Sequence, residues 1–217
     1  MFVMRRMQID TIAPKFNGRF NKGVDYIGEL ARFEQRFDQL VGVIRYVSRE
    51  FSFPDLKLSV HTGSDKFSLY PFMRRILQKH DVGIHLKTAG TTWLEEAASL
   101  AQASEEGWNI IREIYTNAYE SRESLCGPYA AVIDIDDTNL PAPADIDRDR
   151  FTSIIRHDPT NPEYNPNARQ LMHLAFKIAA QMGSRFTDAL DEHAEAIAPN
   201  VTENLLERHI KPLFAPS

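Results

Sequence analysis

The most restrictive feature of this 217-residue chain is a pair of strand-like segments, each followed by a turn of small polar residues. Residues 57–61 and 83–88 alternate apolar and polar side chains, which is typical of strands with one buried face. A helix-like segment over residues 69–80 separates them. Two strands joined through a helix are expected to pair in parallel, because a parallel connection has to cross over the sheet.

Strand-like and helix-like segments alternate through the first half of the chain. Besides the segments above, apolar spacing predicts a strand over 9–16 and helices over 26–51 and 93–103. This order predicts an α/β fold in which helices cover parallel strands. Further patterns predict helices over 108–122 and 168–182, two closing helices split by Pro199, and a strand at 129–134.

Polar residues next to the helical patterns predict where several helices begin or break. The residues predicted in these roles are Ser68, the pairs Thr92–Glu95 and Asn167–Gln170, and Gly107.

Composition limits the partners of the chain. A net charge of −5 argues against a general nucleic-acid or anionic-membrane surface. No apolar run approaches the roughly 20 residues that a membrane span needs. The single cysteine, Cys126, excludes a disulfide within the chain and fits a reducing compartment. We therefore expect a cytoplasmic protein that acts on a small molecule, with neither nucleic acid nor membrane as a partner.

A histidine lies near the carboxyl end of each strand of the pair, His61 in one and His85 in the other. Ligands of parallel α/β folds gather at this edge of the sheet, and sequential strands are usually neighbours. Two neutral imidazoles there predict a shared divalent metal cation, with one or two further ligands from elsewhere. The alternative is that each imidazole is a hydrogen-bonded residue at the rim of the sheet.

The turns after the two strands suit an anionic ligand rich in hydroxyl groups. Gly63 and Gly90 allow close approach to the backbone, and Thr91 opens a helix whose free N–H groups attract anions. Lys66 and Lys87 supply positive charge. The loop before the first long helix adds the cations Lys15, Arg19 and Lys22, either as a solvated loop or facing an anion.

Two other patterns carry weaker functional signals. Asp134, Asp136 and Thr138 reproduce the nucleophile motif of haloacid-dehalogenase-type phosphatases, although few strands are expected downstream. Arg169 and His173 lie one helical turn apart, where they either reach a ligand over the strand ends or lie on the surface.

Several of these segments resemble one known family, the tagaturonate/fructuronate epimerases. The likeness runs from about Thr11 to the C-terminus and is carried by APKFNGRFNKGVDYIG, KLSVHTGSDKFSLYP, IHLKTAGTTWLE and RQLMH. It implies a metal-dependent TIM-barrel-type enzyme that interconverts two keto-hexuronates. It further implies His61 and His85 as metal ligands and Asp65 and Lys66 as catalytic residues. The substrate-binding residues predicted together with them are Ser64, Lys87, Thr88, Thr91 and Lys15.

Family members are much longer, and the likeness covers only their C-terminal part. The fold predicted for this chain is therefore a partial TIM-type (β/α) barrel at 1–125, followed by a loop-rich and helical extension at 126–217. The missing ligands are expected from a complementing N-terminal half or from association of copies. The alternative is a non-catalytic remnant.

The chemistry implied by the resemblance has one favoured route. The two keto-hexuronates differ at a carbinol carbon β to the ketone, where the C–H bond is not acidified. Simple proton abstraction is therefore excluded, and no nicotinamide fingerprint for a redox route occurs in the sequence. This reasoning predicts retro-aldol cleavage and re-addition to the other face, with Asp65 in proton transfer and Lys66 or Lys87 on the substrate carboxylate.

Overall fold

The computed structural model describes residues 9–51, 56–61, 65–87 and 90–215. The first part alternates strands and helices: β1 Thr11–Ile12, α1 Leu30–Phe51, β2 Lys57–His61, α2 Tyr70–His80 and β3 Ile84–Lys87. The strands form a parallel sheet in the order β1-β2-β3, with Ser59 opposite His85 and His61 opposite Lys87. The α/β class, the parallel pairing and the positions of β2 and β3 confirm the prediction.

The rest of the chain is helical. Its helices are α3 Thr91–Ala103, α4 Glu105–Glu120, α5 Arg122–Cys126, α6 Arg148–Ile155, α7 Pro166–Gln181, α8 Ser184–Glu192, α9 Ala194–Glu203 and α10 Lys211–Phe214. A π-helical segment, Asn204–Ile210, joins α9 to α10. Among the described residues, no helix combines the length and the apolar character needed to cross a membrane.

The apolar core packs against one face of the sheet. Leu58 and Val60 of β2 pack into a core with Phe33 and Phe37 of α1 and Met73 of α2. Side chains of a strand alternate between its two faces, so the opposite face carries a polar row. This row consists of Lys57, Ser59 and His61 from β2 and of His85 and Lys87 from β3.

A second core lies within the helical part and is formed mainly by α3, α4, α6 and α7. Helix α3 is central to it, with Leu94, Ala97, Leu100 and Ala101 fully buried. A Cβ atom at Gly107 would lie 2.2 Å from the carbonyl oxygen of Leu100, so a side chain at this position would collide with the α3 backbone.

Each predicted helix start or break lies at a different residue in the structure. Asp25, rather than Ser68 itself, accepts hydrogen bonds from the Ser68 N–H (3.1 Å) and hydroxyl (2.9 Å). Helix α3 begins after Gly90, which has a positive φ, without a Thr92–Glu95 capping box. Other corrections follow the same pattern: Ser104 caps α4 with Gly107 inside it, Asn165 caps α7, and Pro199 lies within α9.

The strand predicted at 129–134 is wrong. A short 3₁₀ turn covers Gly127–Tyr129, and the chain then turns without entering the sheet. Val132 of this segment lines a cavity, and Ile135, directly after it, packs against the helical core. The division at residue 125 stays a prediction, although α3 and α4 pack with the helices that follow them.

Candidate functional site

A cavity of about 520 Å³ opens where β2 and β3 end. It is lined by Phe20, Lys22, His61, Lys87, Gly90, Trp93, Tyr129, Val132, His173 and Phe176. The polar members provide two ammonium groups and two imidazoles, and four aromatic rings provide most of the remaining wall. Such a mixture suits a small anionic molecule that also has an apolar face.

Three separate parts of the chain place the polar groups of this cavity. His61 and Lys87 are paired neighbours at the ends of β2 and β3, so their side chains leave the same face of the sheet. His173 comes from α7, which is held against α3 by a 2.7 Å hydrogen bond from the Trp93 indole to the Met172 carbonyl oxygen. Lys22 comes from the loop before α1.

His61 and His85 lie on the same face of adjacent strands, offset by two residues in the register. The Nδ1 atom of His85 is 2.7 Å from the hydroxyl of Ser59, and a hydrogen bond of this kind orients an imidazole for ligation through its other nitrogen. In the part of the chain that the structure describes, no group of three or more His, Cys, Asp or Glu side chains could enclose a metal ion. The two histidines therefore fit part of a ligand set, and metal binding by them stays a prediction.

Asp65 does not line the cavity. Its side chain is fully buried, and four groups contact it: the Thr91 hydroxyl at 3.0 Å, the Arg169 guanidinium at 2.6 Å, and the rings of His157 and His209 at 3.2 Å each. Burial alone would raise the pKa of Asp65, but Arg169 and the two histidines hold that pKa well below its usual value. A carboxylate so firmly ionised and enclosed does not fit the predicted proton transfer with a substrate.

Lys66 is also fully buried and away from the cavity. Its ammonium group donates hydrogen bonds to the carbonyl oxygens of Asn21 (2.9 Å) and Val24 (2.5 Å). Lys66 therefore ties the loop before α1 to the end of β2, and this position does not fit the predicted contact with a substrate carboxylate.

Burial lowers the pKa of Lys66 from 10.5 to about 8, although Asp65 and Asp25 nearby favour its charged form. A lysine-selective NMR titration should therefore find the Lys66 midpoint near 8. The unfolded chain holds this proton more tightly, so the contribution of Lys66 to the free energy of unfolding should increase between pH 8 and 10.5. A midpoint of about 10.4, as for an exposed lysine, would contradict the buried position.

The other predicted substrate-binding residues have different outcomes. Lys87 lines the cavity, whereas the Thr91 side chain is buried and donates to Asp65. Lys15 is exposed and does not line the cavity. Lys22, from the same loop, lines it instead. Ser64 and Thr88 lie outside the described residues.

Gly90 and His173 meet at the wall of the cavity. Gly90 has a φ of +95°, and a Cβ atom there would lie 2.2 Å from Nε2 of His173. The glycine is thus needed for its backbone conformation and for the space that the imidazole occupies, rather than only for close approach of a ligand to the backbone. The sequence signals for His173 were its spacing of one helical turn from Arg169 and its place in the RQLMH segment of the family resemblance.

The phosphatase reading of Asp134 and Asp136 has no support in the structure. The strand that such a motif follows is absent from residues 129–134, which the structure describes in full. Asp134 is exposed and pairs with Arg19 at 2.6 Å, and Asp136 accepts hydrogen bonds from Thr138 and Asn139 within its own turn. These carboxylates stabilise a surface loop.

The fold and the cavity together define an α/β protein whose parallel strands end at a polar cavity, a frequent place for small-molecule binding. More specifically, the chain belongs to the tagaturonate epimerase family, UxaE, whose family model matches residues 2–213. It is 27% identical over 210 residues to the tagaturonate/fructuronate epimerase of Thermotoga maritima, covering 95% of this chain and 39% of that protein.

Solved structures agree with this assignment. The fructuronate-tagaturonate epimerase UxaE of Cohnella laeviribosi, in complex with one glycerol, matches with a TM-score of 0.76 and 26% identity over 98% of this chain. Its native form matches with a TM-score of 0.75 and the same identity. The present chain covers 40% of each of those chains, so it spans about two fifths of the length of these relatives.

Proposed function

We propose that this chain forms part of an epimerase that interconverts fructuronate and tagaturonate, and that the keto-hexuronate binds in the 520 Å³ cavity. One observation supports this most directly: His61, Lys87, His173 and Lys22 reach the same cavity from three parts of the chain. Its size suits a six-carbon sugar acid, and its charge is opposite to that of the substrate carboxylate.

The cavity offers a distinct partner for each part of such a substrate. Lys87 and Lys22 supply positive charge to the carboxylate, and the imidazoles of His61 and His173 exchange hydrogen bonds with hydroxyl groups. Trp93 and Phe176 offer apolar surface to the C–H face of the sugar chain. The substrate is thereby oriented with its carboxylate at the cationic end.

The metal assigned to His61 and His85 remains part of the proposal. Both rings leave the same sheet face, and Ser59 orients one of them, so this chain supplies two ligands and further ligands come from outside it. A divalent cation bound there supplies Lewis acidity toward the ketone oxygen. The ion's identity is left to experiment.

The reaction proposed is retro-aldol cleavage followed by re-addition. A base removes the proton of the hydroxyl on the carbinol carbon, the bond between this carbon and its neighbour next to the ketone breaks, and the electron pair moves to the ketone oxygen. The resulting aldehyde turns over, and the same bond re-forms on its other face. The proton returns to the new hydroxyl, and the hydrogen on the epimerised carbon never leaves. His173 is the base that the cavity offers, since His61 is assigned to the metal.

The remaining strands and metal ligands come from a complementing N-terminal part, since the relatives are about 2.5 times longer than the stretch matched here. In that assembly the three strands of this chain form part of a TIM-type (β/α) barrel, with the polar row facing inward. The compartment proposed is the cytoplasm, where the single free cysteine stays reduced.

Binding and turnover test this proposal. Titration with fructuronate should give a dissociation constant that Lys87→Met raises about tenfold, because a charge-assisted contact is lost. The control, Lys79→Met, removes an exposed lysine paired with Asp38 on α1 and should leave affinity unchanged.

With divalent metal and the complementing part added, tagaturonate formed in D₂O should carry no deuterium at the epimerised carbon. Deuterium at that carbon would contradict the retro-aldol route. Equal affinities of Lys87→Met and Lys79→Met for fructuronate would show that the cavity is not the binding site.

A further inference from the structure

We infer that the buried Asp65 carboxylate is a positioning residue that fixes His61, Lys87 and His173 relative to one another. The inference rests on the proposed function only in taking their shared cavity as the substrate site. It assigns to Asp65 a role other than the proton transfer suggested by its sequence position.

The spacing along the chain is the first part of the argument. Asp65 follows His61, the last residue of β2, by four residues. Thr91 follows Lys87, the last residue of β3, by four residues. Arg169 precedes His173 by four residues, which is one turn of α7. Three of the four polar cavity residues thus lie four residues along the chain from a member of the Asp65 cluster.

The contacts are the second part. The Thr91 hydroxyl donates to one carboxylate oxygen of Asp65 at 3.0 Å, and Arg169 donates to the other at 2.6 Å. One carboxylate therefore connects the segments that carry all three cavity residues. A shift of Asp65, of the start of α3 or of α7 would stretch a hydrogen bond in a fully buried setting, where such bonds are strong and costly to break.

The surroundings of the carboxylate make it a rigid reference point. His157 and His209 contact its two oxygens at 3.2 Å, and the hydroxyl of Tyr70 lies 2.6 Å from the second nitrogen of His209. Arg169 also donates to the backbone carbonyl oxygens of Gly23 and Ile155. Because the cluster joins residues from the sheet part and from the helical part, Asp65 has little freedom to move relative to either.

Thr91 allows the inference to be tested with a small change. Thr91→Val keeps the shape of the side chain and removes only its hydrogen bond to Asp65. It should weaken fructuronate binding about fivefold or more, because the start of α3, directly after the cavity residue Gly90, loses its anchor. Thr91→Ser restores a hydroxyl and should restore affinity. Thr92→Val is the matched control, since its half-buried side chain is one position further along α3 and outside the Asp65 cluster.

A second measurement needs no ligand. The ring ¹⁵N and ¹H signals of His173 report its contact with Gly90, so they should shift in Thr91→Val and return in Thr91→Ser. Unchanged signals and unchanged affinity in a folded Thr91→Val would overturn the inference. If the wild-type chain without a complementing part does not bind fructuronate, the proposed binding function is contradicted for this chain by itself. The ring signals of His173 still test whether Asp65 and Thr91 position it. If Thr91→Val does not fold, Thr91→Ala repeats both measurements with a strong helix former.

Discussion

Replacing Arg169 with methionine is expected to lower the free energy of unfolding by about 3–5 kcal/mol, because it leaves a buried carboxylate without its counter-ion. Arg169 is 1% exposed, lies 2.6 Å from Asp65, and also donates to two backbone carbonyl oxygens. Methionine fills much of the volume but satisfies none of these groups. Urea denaturation of both proteins at pH 7 measures the difference.

The matched control for this variant is Arg185→Met. Arg185 also forms an ion pair, with Glu113 at 2.8 Å, but about half of each side chain is exposed to solvent. Such pairs contribute about 0–1 kcal/mol, so this variant should unfold almost as the wild type does. Equal losses in the two variants would mean that the Asp65 cluster is not the cause.

Lowering the pH should reduce the difference in the free energy of unfolding between the wild type and Arg169→Met. In the wild type the pKa of Asp65 is held below its usual value, so its stabilising contribution is lost as the pH falls through and below the ordinary aspartate range. Without Arg169, the largest favourable charge beside Asp65 is lost, so the pKa of Asp65 should lie above its wild-type value although His157 and His209 still contact it. The variant then loses less than the wild type when Asp65 takes up a proton, so the two unfolding free energies should converge as the pH falls through and below about 4.

Replacing Gly90 with alanine is expected to damage the cavity as well as the fold. The left-handed conformation of Gly90, with φ +95°, costs a residue with a side chain about 1–2 kcal/mol. The new methyl group would also lie 2.2 Å from Nε2 of His173, so the imidazole has to move. We expect the affinity for fructuronate to fall about tenfold or more, since displacing a packed group costs 1–3 kcal/mol.

Gly127→Ala provides the control for this second variant. No atom lies within 4 Å of a Cβ built at Gly127, and its φ of −46° suits any residue. This variant should therefore retain its melting temperature and its affinity. Normal fructuronate binding by a folded Gly90→Ala protein would show that the position of His173 is unimportant for the ligand.

Local patterns were sufficient to predict the framework of the first half. The alternation in β2 and the apolar stripe of α1 depend on neighbours in sequence, so both elements were found, with α1 beginning four residues later than the 26–51 prediction. The same alternation predicted His61 and His85 near the strand ends, and His61 lines the cavity that opens there together with Lys87, which was predicted for its charge. The family resemblance added the class of substrate, and the family assignment is confirmed.

Contacts distant in sequence could not be predicted in this way. Asp65 appeared as a polar residue in a glycine-containing turn, but it meets His157, Arg169 and His209, which are 92, 104 and 144 residues away. These contacts hold the Asp65 side chain in the interior of the protein, so it does not line the cavity. Asp25 similarly takes over the capping expected of Ser68 from 43 residues away. No periodicity along the chain reports such pairings, because they arise only when the two cores pack together.

The one-sided covering of the sheet also determines how this architecture can grow. Both crossovers place their helices on the same side, and β1 and β3 are the outer strands of the described sheet. Another strand–helix unit of the same hand could be added at either edge without repacking α1 or α2. Because sheets twist, each added strand would extend the polar row and bend it further around a common axis. A longer sheet of this kind would therefore also enclose its hydrophilic face.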